Sequence, residues 1–250
     1  MDTKKIPIIQ VKNLYKIYRV GETKVYALNG VDFNIYKGEF CAIVGPSGSG
    51  KSTLLNMLAG LEKPSKGEIV ISGKHIEKLT ENQLVAFRRE NVGFIFQSYN
   101  LLKTMNALEN AALPLSFRGI SKKERNAIAK KYLKLVGLEK QMNHMANAMS
   151  GGQQQRVGIA RALAMNPKII FADEPTGNLD SKTTKEVLEL MRKIVREENQ
   201  TLIMVTHDNY IASFADRQFH IVDGKILKIE ERSAEETHNQ GMEEEQHEKV

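Results

Sequence analysis

The residues 45–52, Gly45-Pro46-Ser47-Gly48-Ser49-Gly50-Lys51-Ser52, fit the pattern G-x-x-x-x-G-K-[ST]. They follow an apolar, strand-like run, Phe40-Cys41-Ala42-Ile43-Val44, and precede a helix-like run, Thr53-Leu54-Leu55-Asn56-Met57-Leu58. That order gives the pattern its chemistry. Glycines let the backbone pass close around an anion, successive amide N–H groups converge on it, and the positive end of the following helix adds a fixed field. The expected ligand is a nucleoside triphosphate, with Lys51 reaching the β and γ phosphates and the Ser52 hydroxyl ligating Mg²⁺. Far downstream, Ile169-Ile170-Phe171-Ala172 ends in two adjacent carboxylates, Asp173-Glu174. With a triphosphate and a divalent cation nearby, Asp173 is placed to hold the metal and Glu174 to activate water.

Positioning these groups requires alternating elements. Strand-like runs at 40–44, 92–96, 168–172 and 202–206 are each followed by polar or glycine-containing turns, which predicts an α/β sheet with helices on its faces. Between Ser98 and Ser150 the strand signal vanishes. Apolar residues there recur at helical spacing (Ile128, Tyr132, Leu135, Val136), so a helical subdomain is expected to be inserted into the core.

Composition bounds the rest. The chain of 250 residues is 41% hydrophobic with one cysteine, Cys41, so no internal disulfide forms; a buried strand position in a reducing compartment is expected. No apolar stretch reaches the ~20 residues of a spanning helix, and the N-terminus lacks a signal-peptide pattern. The net charge of +6 divides into +11 on residues 1–230 and an acidic segment at 231–250 without apolar periodicity, expected to be a disordered tail. A basic body fits nucleic acid or an anionic membrane, but charges spread along helices fit a solvated surface better. No internal repeat occurs, so one nucleotide-binding unit per chain is expected.

A third motif carries a family resemblance. Ser150-Gly151-Gly152-Gln153-Gln154-Gln155-Arg156 closely resembles the signature of ATP-binding cassette (ABC) proteins. The resemblance covers about residues 8–230, with Met149 standing where leucine is usual; an apolar residue of similar size should pack equally well. It implies a P-loop NTPase (RecA-like) core at 1–97 and 151–230, an antiparallel β subdomain, and a helical subdomain at 98–150. It also implies that the cradle of one chain and Ser150, Gly151, Gly152 and Gln153 of a second enclose one ATP with Mg²⁺, so the active form is a homodimer.

The remaining assignments follow from the same resemblance. Gln97 is similar to the glutamine that contacts Mg²⁺ or the attacking water at the hinge to the helical subdomain. Asp180, in Asn178-Leu179-Asp180, resembles the loop crossing the dimer interface. His207 resembles the switch histidine at the γ-phosphate. Tyr18 resembles the aromatic that stacks on adenine, with Tyr15 an alternative. The expected catalytic set is therefore Glu174, His207, Gln97 and Lys51. The nucleotide set is Tyr18, Gly45, Pro46, Ser47, Gly48, Ser49, Gly50, Lys51, Ser52, Thr53, Gln97, Ser150, Gly151, Gly152, Gln153 and Asp180, and the metal set Ser52, Gln97 and Asp173.

The contexts Leu108-Glu109-Asn110-Ala111-Ala112-Leu113-Pro114-Leu115 and 172–180 look like the lipoprotein-release and macrolide-exporter branch, with antimicrobial-peptide-resistance ATPases. This implies an ATPase subunit at the cytoplasmic face of the membrane that powers a separate permease, with no nucleic acid as ligand. The alternative is a non-transport ABC ATPase of DNA repair or chromosome maintenance. That class inserts a long coiled coil between motifs that here lie about 100 residues apart, with no heptads between them. Translation-associated relatives carry two cassettes per chain.

Overall fold

The computed structural model describes residues 6–232. Its strands are β1 (Pro7–Val20), β2 (Thr23–Tyr36), β3 (Phe40–Val44), β4 (Lys66–Ile71), β5 (Lys74–His75), β6 (Val92–Phe96), β7 (Ile169–Asp173), β8 (Thr201–Thr206), β9 (Arg217–Val222) and β10 (Lys225–Glu231). The helices are α1 (Lys51–Leu58), α2 (Glu81–Asn91), α3 (Ala107–Ser116), α4 (Lys122–Leu135), α5 (Gly151–Ala164), α6 (Ser181–Glu197) and α7 (Asn209–Ala212). The four strands read from apolar runs all form, within a residue of the expected bounds. Glu231 is still in β10, where its carboxylate meets Arg217 Nε at 3.4 Å, so the folded body runs one residue past the expected boundary. The acidic tail expectation otherwise concerns 233–250, outside the described residues.

Two sheets form. One is antiparallel, in the order β2-β1-β4-β5; the other is six-stranded, in the order β10-β9-β3-β8-β7-β6. In the larger sheet every pairing is parallel except that of β10 with β9. The parallel strands are apolar on both faces because both faces are covered. In β3, Cys41 and Ile43 point into a core shared with the antiparallel sheet and α1, where Ile9, Leu14, Leu28, Leu54 and Leu58 are buried. The alternate residues Phe40, Ala42 and Val44 face the opposite core, lined by α3, α4, α5 and α6. Cys41 is fully buried, and burial pushes its thiol well above the ordinary range, as a packed and unreactive strand residue requires.

The segment 98–150 carries no named strand and is built from α3, α4 and short 3₁₀ turns. Asn106 opens α3 with a capping box to Glu109, and Ser121 caps α4 at Glu124 N–H. Apolar side chains of α3 and α4 join α5 and the sheet in one continuous core, so α5 spans the join between the helical segment and the sheet. Among the described residues no helix is long and apolar enough to cross a membrane.

Candidate active site

Strand register places the site. Val44 lies opposite Thr206, Asp173 opposite Val205, and Phe96 opposite Asp173, all across parallel pairs. The residues leaving those strands, Gly45, His207, Glu174 and Gln97, therefore emerge side by side along the C-terminal edge. Open parallel sheets bind ligands at this edge. Four segments far apart in sequence are joined by hydrogen-bond register alone.

A cavity of about 620 Å³ opens there, lined by Ala27, Pro46, Ser47, Gly48, Gly50, Lys51, Ser52, Thr53, Glu174 and His207. The loop 45–50 owes its shape to glycine. A Cβ on Gly45 would lie 2.1 Å from the Ile221 carbonyl oxygen, and one on Gly50, at φ 101°, would lie 2.3 Å from the Ala27 carbonyl oxygen. Gly48, at φ 79°, instead faces open space. Lys51 is buried, and its ammonium donates to the carbonyls of Gly45 (2.8 Å) and Pro46 (2.7 Å), so the loop folds around its own cation. The Ser49 hydroxyl is buried without a protein hydrogen-bond partner, an orphaned polar group in the cradle.

The acidic end of β7 is electrostatically strained. Burial, the neighbouring Glu174 carboxylate and a smaller opposing effect of Lys51 hold the Asp173 carboxyl above its ordinary 3.8. Such a partly buried carboxylate beside a second one is suited to a divalent cation; Asp173 itself does not line the cavity, whereas its neighbour Glu174 and Ser52, in the first turn of α1, do. Glu174 has a left-handed backbone, φ 43°, in which its N–H donates to the Val205 carbonyl at 3.0 Å. Its Oε1 lies 2.7 Å from His207 Nδ1. Two of the four groups read as catalytic are thus in direct contact at the mouth of the cavity.

Other expected residues are grouped elsewhere. Tyr18 is more than a third exposed, its hydroxyl donates to both Glu62 carboxylate oxygens at 2.8 and 2.9 Å, and it also lies within reach of Thr53, next to the cradle. Tyr15 points away: its hydroxyl occupies the space above Gly30, in a separate groove with Asn29 and Lys225. The two tyrosines that sequence alone left open stand three residues apart in β1, so strand alternation turns them to opposite faces. Gln97, Ser150 and Asp180 do not line the cavity of the single chain. Gln97 packs its amide over Gly177, and its carbonyl accepts from Asn178 Nδ2 at 2.9 Å. Ser150 forms a complete capping box with Gln153, and Asp180 caps α6 at Thr183 N–H. These caps satisfy the simpler structural role while leaving the N-terminus of α5 exposed. Gly151 and Gly152 leave room for Tyr99 and Thr183, whose atoms lie 2.8 and 2.4 Å from where their Cβ atoms would be.

Three supporting residues were not legible beforehand. The Ala27 backbone walls the cradle from the antiparallel sheet. Gly224, in the β9–β10 turn, donates to the Ser49 carbonyl at 3.1 Å and accepts from Asn29 N–H at 2.8 Å. Asn110, fully buried in α3, donates to the carbonyls of Leu102, Met105 and Asn106 and accepts from Leu102 N–H, which fixes the loop after Asn100. Only Asn110 carried a signal, as a polar residue inside an otherwise apolar helical run.

Residues 28–177 match the family model described as ABC transporter. The chain is 48% identical over 225 residues to an uncharacterised ABC transporter ATP-binding protein of Thermotoga maritima, covering 90% of this chain and 96% of that one. It is 47% identical over 227 residues to the ATP-binding protein MJ0796 of Methanocaldococcus jannaschii, covering 89% of this chain and 97% of that protein. A dimeric structure of MJ0796 in a post-hydrolysis state with ADP and Pi superposes with a TM-score of 0.81, at 45% identity, over 90% of this chain and 99% of that chain. The macrolide export ATP-binding/permease protein MacB of Chlorobium phaeobacteroides is 47% identical over 230 residues; the match covers 92% of this chain but 34% of that protein.

Proposed function

The chain belongs to the ABC transporter family, and from that premise we propose that it is an ATP-hydrolysing subunit that powers a separate membrane permease from the cytoplasmic face. The observation that carries the reading is the contact of Glu174 with His207 above a glycine cradle, with Asp173 one residue behind. Likeness to MacB and to the dimeric MJ0796 cassette supports an export or extracytoplasmic mechanotransmission role and a homodimeric working form.

In this reading the 45–50 backbone binds the phosphates and Lys51 turns from the Gly45 and Pro46 carbonyls to the β and γ phosphates. Tyr18 stacks on the base beside Thr53. Asp173, Ser52 and Gln97 would hold Mg²⁺, which supplies charge neutralisation at the β and γ phosphates. Glu174 accepts a proton from the attacking water, and His207 leaves its Glu174 partner to donate to the γ-phosphate. Ser150, Gly151, Gly152 and Gln153 of the second copy close the site through the exposed N-terminus of α5, and Asp180 flanks the joint. Residues 97–115 at the edge of the helical segment receive the permease.

Because Glu174 is assigned to turnover and not to binding, Glu174→Gln is expected to keep ATP affinity, lose about three orders of magnitude in turnover and accumulate as a dimer. Size-exclusion chromatography with ATP tests this. A variant that hydrolyses normally, or that remains monomeric with saturating ATP, contradicts the assignment.

A further inference from the structure

The loop behind Gln97 has an unfavourable backbone. Tyr99 and Asn100 are consecutive non-glycine residues in the left-handed region, at φ 57° and 49°, where a side chain is strained. One side chain spans both. The Arg161 guanidinium, on α5, donates through Nη2 to the Tyr99 carbonyl (2.8 Å) and through Nη1 to the Asn100 carbonyl (2.5 Å). A planar fork can hold two adjacent carbonyls, whereas a lysine ammonium is a single point donor on a flexible stem.

Tyr99 then returns to the same helix. Its hydroxyl fills the space above Gly151, 2.8 Å from where a Cβ would stand, so its side chain lies lengthwise along α5 between Arg161 and the helix start. On the same stretch of α5, Gln155 is fully buried with neither side-chain polar atom hydrogen-bonded. Its Oε1 and the Tyr99 carbonyl share the gap over Gly158, each 3.9 Å from that residue's would-be Cβ. Gln155 thus leaves an unpartnered amide on the stretch of α5 beside the loop held by Arg161. Gln97 itself is tied from the other side by Asn178.

We infer that Arg161 is a positioning residue for Gln97, latching the loop behind it to the helix that starts at Ser150-Gly151-Gly152. A shift of α5 when that helix start engages a nucleotide would then carry the Gln97 loop with it as one rigid piece. The inference rests on the role given to Gln97 in hydrolysis.

A double-mutant cycle tests it by steady-state ATPase kinetics on the full chain. Arg161→Lys is expected to lower kcat about tenfold while the ATP KM stays within about twofold, because the cradle is untouched. Added to Gln97→Ala, it should cause no further loss, since the positioned group is gone. Asn100→Gly, which removes the left-handed penalty, should restore part of the kcat of Arg161→Lys. Equal losses in both backgrounds, or an unchanged kcat, overturn the inference while leaving Gln97 in place. A Gln97→Ala enzyme with normal kcat overturns the role of Gln97 and the latch with it. Should Arg161→Lys fail to fold, Tyr99→Leu, which cannot reach Gly151, is expected to give the same dependence on Gln97, and additivity there would equally overturn the latch.

Discussion

Asp173 illustrates how a single side chain is held in a costly state for a ligand. Its carboxyl lies above the ordinary 3.8 because the end of β7 is partly buried and Glu174 stands beside it, with Lys51 only partly compensating. A raised carboxyl favours the protonated form in the folded chain. Stability from this group is therefore complete below 3.8 and is lost as pH rises through the raised value. Asp173→Asn is expected to raise the melting temperature of the nucleotide-free chain at pH 7 by a few degrees and to abolish ATP hydrolysis. The thermal advantage should shrink on acidification, as the wild-type carboxyl takes up its proton as well. Scanning calorimetry at several pH values checks this, and a variant less stable than wild type at pH 7 contradicts it. His207 and Glu174 make a related point: each occupies the other's hydrogen-bonding atom at 2.7 Å, so water and phosphate must separate them before either can act.

At the scale of elements, the cradle is not a self-contained loop. Its Ser49 carbonyl is held by Gly224 N–H from the β9–β10 turn, and Gly224 is itself pinned against the Ala27 backbone. That turn is an Asp223-Gly224 pair with φ of 48° and 71°, the positive values that tight hairpins demand. A Cβ on Gly224 would stand 2.8 Å from the Ala27 carbonyl oxygen, where backbone must move. Gly224→Ala should therefore destabilise the chain by about 1–3 kcal/mol and weaken ATP binding severalfold, although it lies some 170 residues from the loop in sequence. Chemical denaturation together with calorimetric titration of ATP measures both. Unchanged affinity would show that the turn does not set the loop's shape. The capping boxes at Ser150 and Asn106 belong to the same scale, since each fixes where a helix begins and so which amides face outward.

For the molecule as a whole, one ligand should report on both cores, because the cradle opens from β3 and that strand contributes residues to each of them. ATP at a hundred times its Kd is expected to stabilise the chain by about 2.7 kcal/mol, a melting shift of several degrees. Lys51→Ala, lacking the cation around which the loop folds, should show no shift, and a normal shift in that variant would refute the placement of the site. Much of this organisation is already written locally: a glycine loop between strand and helix, two acids ending an apolar run, and a serine-glycine helix start are short-range patterns whose physics needs few neighbours. Residue order likewise dictates that 98–150 cannot continue the sheet. What only the tertiary structure decided is adjacency. That β3 pairs with β8 and β9, that Tyr18 and not Tyr15 reaches Thr53, that Gly224 braces Ser49, and that Arg161 grips the loop behind Gln97 all depend on strand register and packing between segments distant in the chain. Such contacts follow from the balance of many buried groups at once, and no local pattern of residue types encodes them.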